Sequence, residues 1–149
     1  MADINVKDKT AIGIHHIGMH SHHFDETVRF YEEGLGLTVK HTWGKGERVA
    51  MMDAGCGSCI EVFDAGEGET IPGGSWIHVA LHTEDIHDSY ERAIRAGGKP
   101  KLAPAFADIL EATPEPVYMW FAYVVGFDGE EIEFIQEVEK PEGSGQCIP

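Results

Sequence analysis

The stretch IHHIGMH at Ile14–His20 is echoed by IHVALH at Ile77–His82, and these two segments decide the fold. Each is followed tens of residues later by a glutamate inside an apolar run, Glu61 in CIEVF and Glu133 in EIEFI. If the two copies pack face to face, two imidazoles and two carboxylates meet, and such side chains suit a divalent cation. The repeat therefore predicts a metal site.

The alternation of side chains along the first strand places its histidines on two different faces. A strand turns successive side chains to opposite faces, so His16 and His20 share one face and His15 lies on the other. We therefore expect His15 and His16 to serve different sites. His20 lies four residues beyond His16, and His82 lies four residues beyond His78. On a strand that rises ~3.3 Å per residue, each distance is roughly 13 Å. These two histidines are expected at the cavity mouth or at solvated strand ends.

The spacing of apolar residues and glycines predicts the same βαβββ order in both copies. In the first copy the elements are strand Ile14–His20, helix Phe24–Glu33 and strands Leu37–Trp43, Arg48–Asp53 and Cys59–Phe63. In the second they are strand Trp76–His82, helix Glu84–Ala96 and strands Val117–Val125 and Glu130–Gln136, the last two joined by a hairpin at Asp128–Gly129. The proline-rich stretch Lys99–Pro116 is expected to hold one short strand and a loop at most.

The 149 residues are expected to form a single domain with one core. We divide it into module 12–64 and module 76–138, joined by the acidic, glycine-rich linker 65–75, with a flexible tail at 139–149. His16 and Glu61 are 45 residues apart and His78 and Glu133 are 55 apart, so the second copy carries about ten extra residues.

Composition excludes several classes of partner. A formal net charge of -15 opposes binding to nucleic acid and to anionic membranes. The sequence shows neither a long apolar run nor a basic leader, which predicts a cytoplasmic protein without a membrane anchor. Three cysteines give no disulfide framework, and the CxxC of Cys56 and Cys59 lacks the second pair that a zinc knuckle needs.

Two segments, HHIGMHSHHFDETVRFYEEGLGL at residues 15–37 and DGEEIEFIQ at residues 128–136, make the chain resemble the vicinal oxygen chelate superfamily. That superfamily includes glyoxalase I, methylmalonyl-CoA epimerase, bleomycin resistance proteins and extradiol dioxygenases, and the resemblance spans roughly residues 12–138. It implies an α+β fold in which two βαβββ modules form a half-open curled sheet around one metal ion. The implied metal ligands are His16, Glu61, His78 and Glu133.

The complete ligand set resembles the isomerase and epimerase branch. It suits one divalent ion, Ni, Co, Zn, Fe or Mn, and we expect a glyoxalase I-like lyase or isomerase acting on a small molecule. The metal is expected to polarise a carbonyl and ease loss of the adjacent proton, through an enolate or enediolate. Glu133 is the first candidate for the base and Glu61 the second.

The substrate stays unassigned. Members that use glutathione carry an arginine four residues after the first ligand histidine and an asparagine four after the first glutamate. Here those positions are His20 and Ala65. Other cations could substitute, and the candidates are Arg48, Lys101 and Arg29. A coenzyme A tail would need a basic cluster that the sequence does not show.

Three alternatives remain open at this stage. An acidic chain with Trp43, Trp76 and Trp120 could be a metal-free, bleomycin-resistance-like binding protein. A methylmalonyl-CoA epimerase-like activity is the second alternative, and an iron-dependent dioxygenase, with Glu61 off the metal, is the third. An open curled sheet also predicts a homodimer, and the two half-sites could then meet within one chain or across two.

Overall fold

In a computed structural model that describes residues 11–70, 75–127 and 130–139, the elements follow the predicted order of two βαβββ modules. The first comprises β1 (Ala11–Ser21), α1 (Phe24–Arg29, continued by the π-helical turn Phe30–Gly34), β2 (Thr38–Trp43), β3 (Val49–Gly55) and β4 (Ser58–Asp64). The second comprises β5 (Trp76–Thr83), α2 (Ile86–Arg95), β6 (Lys99–Ile109), β7 (Val117–Val125) and β8 (Glu131–Glu137).

The strands form one eight-stranded sheet in the order β2-β3-β4-β1-β5-β8-β7-β6. The modules join through antiparallel pairing of β1 with β5, and each of these strands has a parallel neighbour, β4 and β8 respectively. The sheet curls into a half-open barrel, so the predicted fold class is confirmed. In this structure the two modules of a single chain pair with each other.

Both helices pack on the outer face of the sheet. Under α1 lie the buried side chains Ala50, Met52 and Val62. Under α2 lie the buried side chains Ala122, Val124 and Phe134, against which Ile86 of the helix packs. Because strand side chains alternate, the residues between these core positions face the inner surface of the curl. The functional side chains are found there.

The helices are short, at six and ten residues. Helix α2 starts where the Asp85 side chain accepts a hydrogen bond from the backbone N–H of Asp88 at 3.0 Å, and it ends before Gly97, whose φ is +104°. Among the described residues, no helix has the length and apolar character needed to cross a membrane.

One predicted element is wrong in extent. The stretch expected to hold at most a short strand contains the 11-residue β6. The strand tolerates Pro100 and Pro104 because it lies at the sheet edge. On the side of an edge strand that has no neighbouring strand, a missing N–H removes no hydrogen bond of the sheet. Its pairing with β7 is irregular between Pro100 and Leu102 and again between Leu102 and Ala105.

Three predictions fall wholly or partly outside the described residues. These are the turn at Asp128–Gly129, part of the linker at residues 71–74, and the tail beyond Glu139. The strands that the turn would join, β7 and β8, pair antiparallel, as a hairpin requires.

Candidate metal centre

The register of the four central strands brings the predicted ligands together. On β1, Gly18 lies between Glu61 of β4 and His78 of β5. On β5, Ala80 lies between His16 of β1 and Glu133 of β8. The two rows are related by the repeat, so each module supplies one histidine and one glutamate.

The donor atoms of the four side chains converge. His16 Nε2 is 2.7 Å from His78 Nε2, 3.0 Å from Glu61 Oε2 and 2.9 Å from Glu133 Oε2. His78 Nε2 is 3.1 Å from Glu133 Oε2 and 3.5 Å from Glu61 Oε2. All four side chains are at least 92% buried, since their exposed fractions are 3%, 3%, 8% and 7%. We call them the inner cluster.

Small residues make room for the histidine rings. A Cβ placed on Gly18 would lie 2.5 to 2.9 Å from three atoms of the His78 ring, closer than real contacts allow. Ala80 holds the equivalent place beside His16 and is fully buried. The inner cluster can therefore form only because its strands carry little side chain at these two positions.

The inner cluster fits a divalent cation. Glu133 Oε2 is buried and accepts no hydrogen bond from the described residues, although two imidazole nitrogens lie within 3.1 Å of it. Atoms about 3 Å apart are spaced like neighbouring ligands around an ion with bonds of about 2.1 Å. Donors from His16, His78 and Glu133 also lie within 4.8 Å of one another. An ion would coordinate this oxygen and balance two buried carboxylates.

In the metal-free protein, protons balance the carboxylates. Burial alone would lower the pKa of His16, but the carboxylates of Glu133 and Glu61, 2.9 and 3.0 Å from its Nε2, outweigh burial and raise it to about 9. The pKa of His78 is also raised, by the same glutamates against the effect of burial. Burial alone would raise the pKa of Glu133, but the imidazoles of His16 and His78, 2.9 and 3.1 Å from its Oε2, hold it at about 2.

Tyr123 of β7 is a neighbour of the inner cluster. It pairs in register with Glu133, and its ring centre is 5.6 Å from that of His78. Burial, helped by the charge of Glu133, raises the pKa of Tyr123, so the phenol keeps its proton. Alternation on β7 accounts for this position, because Ala122 and Val124 on either side are in the core under α2.

The placement of His15 corrects the sequence prediction. The register between β1 and β5 shifts from Ile14↔Leu81 to His16↔Ala80, so two steps on β1 match one on β5. This β-bulge breaks the alternation that would put His15 on the outer face. His15 Nδ1 instead contacts His16 Nδ1 at 2.9 Å, so adjacent histidines serve one region.

Two further side chains gather around His15. Its Nε2 is 3.0 Å from Glu137 Oε1, and its ring centre is 4.6 Å from that of His82. His82 therefore packs against His15 on the inner face. His20, at the other end of β1, is 44% exposed and stacks edge-on against Phe63. His20 is thus the solvated strand-end histidine of the pair.

The other predicted cations and cysteines lie in different surroundings. Arg48 is held by Asp64 and Asp25, at 2.8 Å each. Lys101 pairs with Glu131 and lies 5.7 Å from the centre of the Tyr123 ring. Arg29 lies on α1, on the outer side of the sheet. Cys56, which is exposed, and Cys59, which is buried, are both free thiols.

Comparisons with known proteins point to one family. A sequence profile of the Glyoxalase/Bleomycin resistance protein/Dioxygenase superfamily matches residues 13–105. The uncharacterized protein YwbC of Bacillus subtilis (strain 168) is 33% identical over 128 residues, covering 83% of this chain and 96% of that protein.

Solved structures share the fold. A methylmalonyl-CoA epimerase from Mycobacterium tuberculosis superposes with a TM-score of 0.70 at 16% identity, covering 93% of this chain and 97% of that chain. A variant of the Streptomyces coelicolor methylmalonyl-CoA epimerase, in complex with 2-nitronate-propionyl-CoA, has a TM-score of 0.66 at 20% identity, with coverages of 87% and 99%. A mutant 4-hydroxymandelate synthase from Streptomyces coelicolor has a TM-score of 0.67 at 19% identity, with coverages of 93% and 44%.

The metal-free protein should lose stability as the pH rises from about 6.5 to 9. The pKa of His16 is about 9 in the folded state against 6.5 for the free group, so its contribution is complete below pH 6.5 and lost through pH 9. The loss is of order 3 kcal/mol, since each tenfold change in proton affinity is worth about 1.4 kcal/mol. Urea denaturation of chelator-treated protein at several pH values measures it.

Two matched variants test the assignment. His16→Gln should remove most of the fall in stability between pH 6.5 and 9, and His87→Gln on α2 should keep it. Below pH 4.5 stability should fall again, because Glu133 titrates at about 2 in the folded state against 4.5 when free. A wild-type protein of constant stability between pH 6.5 and 9 would contradict the assigned protonation of the inner cluster.

Proposed function

The chain belongs to the glyoxalase/bleomycin resistance protein/dioxygenase superfamily, and from that membership we propose that it is a divalent-metal-dependent lyase or isomerase. The observation that carries the proposal is the inner cluster, in which donor atoms from four side chains converge and the buried Oε2 of Glu133 accepts no aligned hydrogen bond from the described residues. A protein that only sequesters a ligand has no need of such a cluster.

His16, Glu61, His78 and Glu133 would hold the ion, and Ni, Co, Zn, Fe and Mn all accept imidazole with carboxylate ligands. A bound divalent cation supplies Lewis-acid polarisation of a substrate carbonyl, which makes the proton on the adjacent carbon easier to remove. Glu61 supports a site of four ligands, because its Oε2 lies 3.0 Å from His16 Nε2. Glu61 is nevertheless not among the three residues, His16, His78 and Glu133, whose donors all lie within 4.8 Å of one another, so the choice between three and four protein ligands is left to the experiments below.

Glu133 is the proposed base. Its pKa of about 2 keeps it ionised at neutral pH, and its Oε2 carries no hydrogen bond from the described residues. Glu133 would accept the proton and leave an enolate or enediolate, and the proton would return from Glu133 itself, or from Glu61 if Glu61 entered the cycle protonated. Return to a neighbouring carbon gives isomerisation, and return to the opposite face of the same carbon gives epimerisation.

Substrate selection departs from the glutathione-using members. His20 and Ala65 replace their arginine and asparagine, and Arg48 is committed to two aspartates. Lys101 is the candidate cation nearest to Tyr123 and could meet an anionic group of a small-molecule substrate. The binding-protein alternative is weakened because Trp120 packs in the core under α2, away from any groove shared with Trp43.

The first test of the proposal is metal content. Protein purified without added metal or chelator, or soaked with each candidate ion, should hold about one ion per chain, and the double variant His16→Ala, His78→Ala should hold none. Gly18→Ala should weaken binding at least tenfold by displacing the His78 ring, whereas Gly46→Ala, whose Cβ meets no atom within 4 Å, should not. Elemental analysis and titration give these values, and no binding of any of the five ions would refute the enzyme proposal.

The second test follows proton transfer without knowledge of the physiological substrate. In D₂O, NMR should show exchange of the proton next to the carbonyl of a glutathione hemithioacetal or of a 2-methylacyl-CoA thioester. Glu133→Gln should slow exchange about 100-fold or more, and Glu61→Gln is the comparison. Glu26→Gln, at an exposed position, is the control. Metal content measured in parallel separates a lost ligand from a lost base, and full exchange by metal-loaded Glu133→Gln would exclude Glu133 as the base.

We also propose that the protein is a homodimer. The edge strands β2 and β6 expose Val39, Leu102 and Phe106, at 36%, 39% and 41%. Open edges with apolar side chains invite pairing with another chain. Light scattering should give about twice the mass of one chain, and charged substitutions at Leu102 and Phe106 should halve it. A monomeric wild-type protein at micromolar concentration would contradict this.

A further inference from the structure

A line of hydrogen-bonded side chains runs from the inner cluster to the surface. His15 Nδ1 lies 2.9 Å from His16 Nδ1, and His15 Nε2 lies 3.0 Å from Glu137 Oε1. His15 is buried, whereas the Glu137 side chain is 52% exposed at the rim of a groove lined by Lys40 and Tyr118. We call His15 and Glu137 the supporting pair.

We propose that the supporting pair holds His16 with its ring proton on Nδ1 and thereby presents the Nε2 lone pair to the metal ion. The inference rests on the proposed function, because it assumes that the inner cluster binds a cation. His15 and Glu137 are positioning residues in this scheme, since they act through His16.

Two ring protons, one on His16 and one on His15, decide which group donates and which accepts in each hydrogen bond. Only one hydrogen fits between nitrogens 2.9 Å apart, so one imidazole donates and the other accepts. If His16 Nε2 coordinates a metal, the His16 proton is on Nδ1 and is donated to His15 Nδ1. The His15 proton then lies on Nε2 and is donated to Glu137 Oε1.

Glu137 favours this pair of tautomers over the opposite pair. In the opposite tautomers, His15 Nε2 would turn a lone pair towards a carboxylate oxygen 3.0 Å away, which places two acceptors against each other. His16 Nε2 would then carry a proton and could not coordinate. Metal-binding histidines commonly donate their other N–H to an acceptor that fixes the tautomer. Here the Glu137 carboxylate fixes the tautomer of His15, and His15 in turn fixes the tautomer of His16.

The second module lacks this support. The residue that corresponds to His15 is Ile77, and the residue that corresponds to Glu137 is Ala65. Neither side chain can form a hydrogen bond to a histidine ring. The supporting pair therefore acts on His16 alone and makes the two half-sites unequal.

The competing interpretation is a second cation site, because donors from His15, His82 and Glu137 lie within 4.8 Å of one another. Such a site would take the lone pair of His15 Nε2, which forces a proton onto His15 Nδ1 and turns His16 into the acceptor. His16 Nε2 would then be protonated. The Lys40 ammonium, 3.9 Å from Glu137 Oε1, further opposes a cation there.

Nitrogen-15 NMR tests the tautomers directly. Long-range ¹H–¹⁵N spectra of the protein loaded with Zn²⁺, which is diamagnetic, should show His15 protonated at Nε2 and His16 protonated at Nδ1. A His15 ring protonated at Nδ1 would overturn the inference. Two zinc ions per chain, with the second lost in His82→Ala, would also overturn it in favour of the competing site.

Zinc affinity, measured by competition with a chromophoric chelator, tests the positioning role. His15→Phe should raise the Kd about 10- to 100-fold, the usual cost of losing an outer-shell partner. Glu137→Gln should raise the Kd by a smaller factor, because an amide can accept from His15 Nε2 or donate to it and so no longer selects one tautomer. His15→Asn should restore much of the affinity, because its amide oxygen can accept the proton of His16 Nδ1. Glu139→Gln, two residues along and exposed, is the matched control and should bind like wild type.

Failure of this inference differs from failure of the proposed function. Wild-type affinity in both His15→Phe and Glu137→Gln would refute the supporting pair while leaving the metal site intact. A wild-type protein that binds no zinc or other candidate ion would refute the metal site and, with it, the role of the supporting pair. Circular dichroism confirms that each variant is folded, and Glu137→Gln changes only a half-exposed side chain.

Discussion

The antiparallel pairing of β1 with β5 is the interaction on which the rest of the site depends, because neither module holds a complete set of ligands. This pairing places Gly18 beside His78 and His16 beside Ala80. The parallel neighbours β4 and β8 then add one carboxylate each. A register slip of one residue would turn a histidine to the outer face, so the pairing defines both the fold and the inner cluster.

Burial of two carboxylates among two imidazoles carries an electrostatic cost that must be balanced. The raised pKa of His16 shows that, without metal, the cluster retains a proton that a free imidazole would release at neutral pH. A cation must displace that proton from Nε2, so proton and metal compete for the same atoms. Metal binding should therefore strengthen as the pH rises, while the stability of the metal-free protein falls.

Local sequence was sufficient for much of this structure. Period-two alternation and the internal repeat predicted the two modules, and the resemblance drawn from the same segments implied the four residues that the structure brings together. The position of His15 was predicted wrongly because the bulge arises from the pairing of β1 with β5, which alternation within one strand does not report. β6 was underestimated for a similar reason, because prolines are tolerated only at a sheet edge, and edge position is a property of the whole sheet.

The two half-sites match in their ligands but differ in what surrounds them. Glu133 has the phenol of Tyr123 opposite it on the next strand, whereas Glu61 has the thioether of Met51 in the equivalent place. His16 is held at both ring nitrogens, while His78 is flanked by Gly18 and the Tyr123 ring. A carboxylate beside a proton donor and one beside an apolar group are chemically different, although the repeat relates them. The two glutamates are therefore unequal as candidate bases, which supports assigning proton removal to one of them, Glu133.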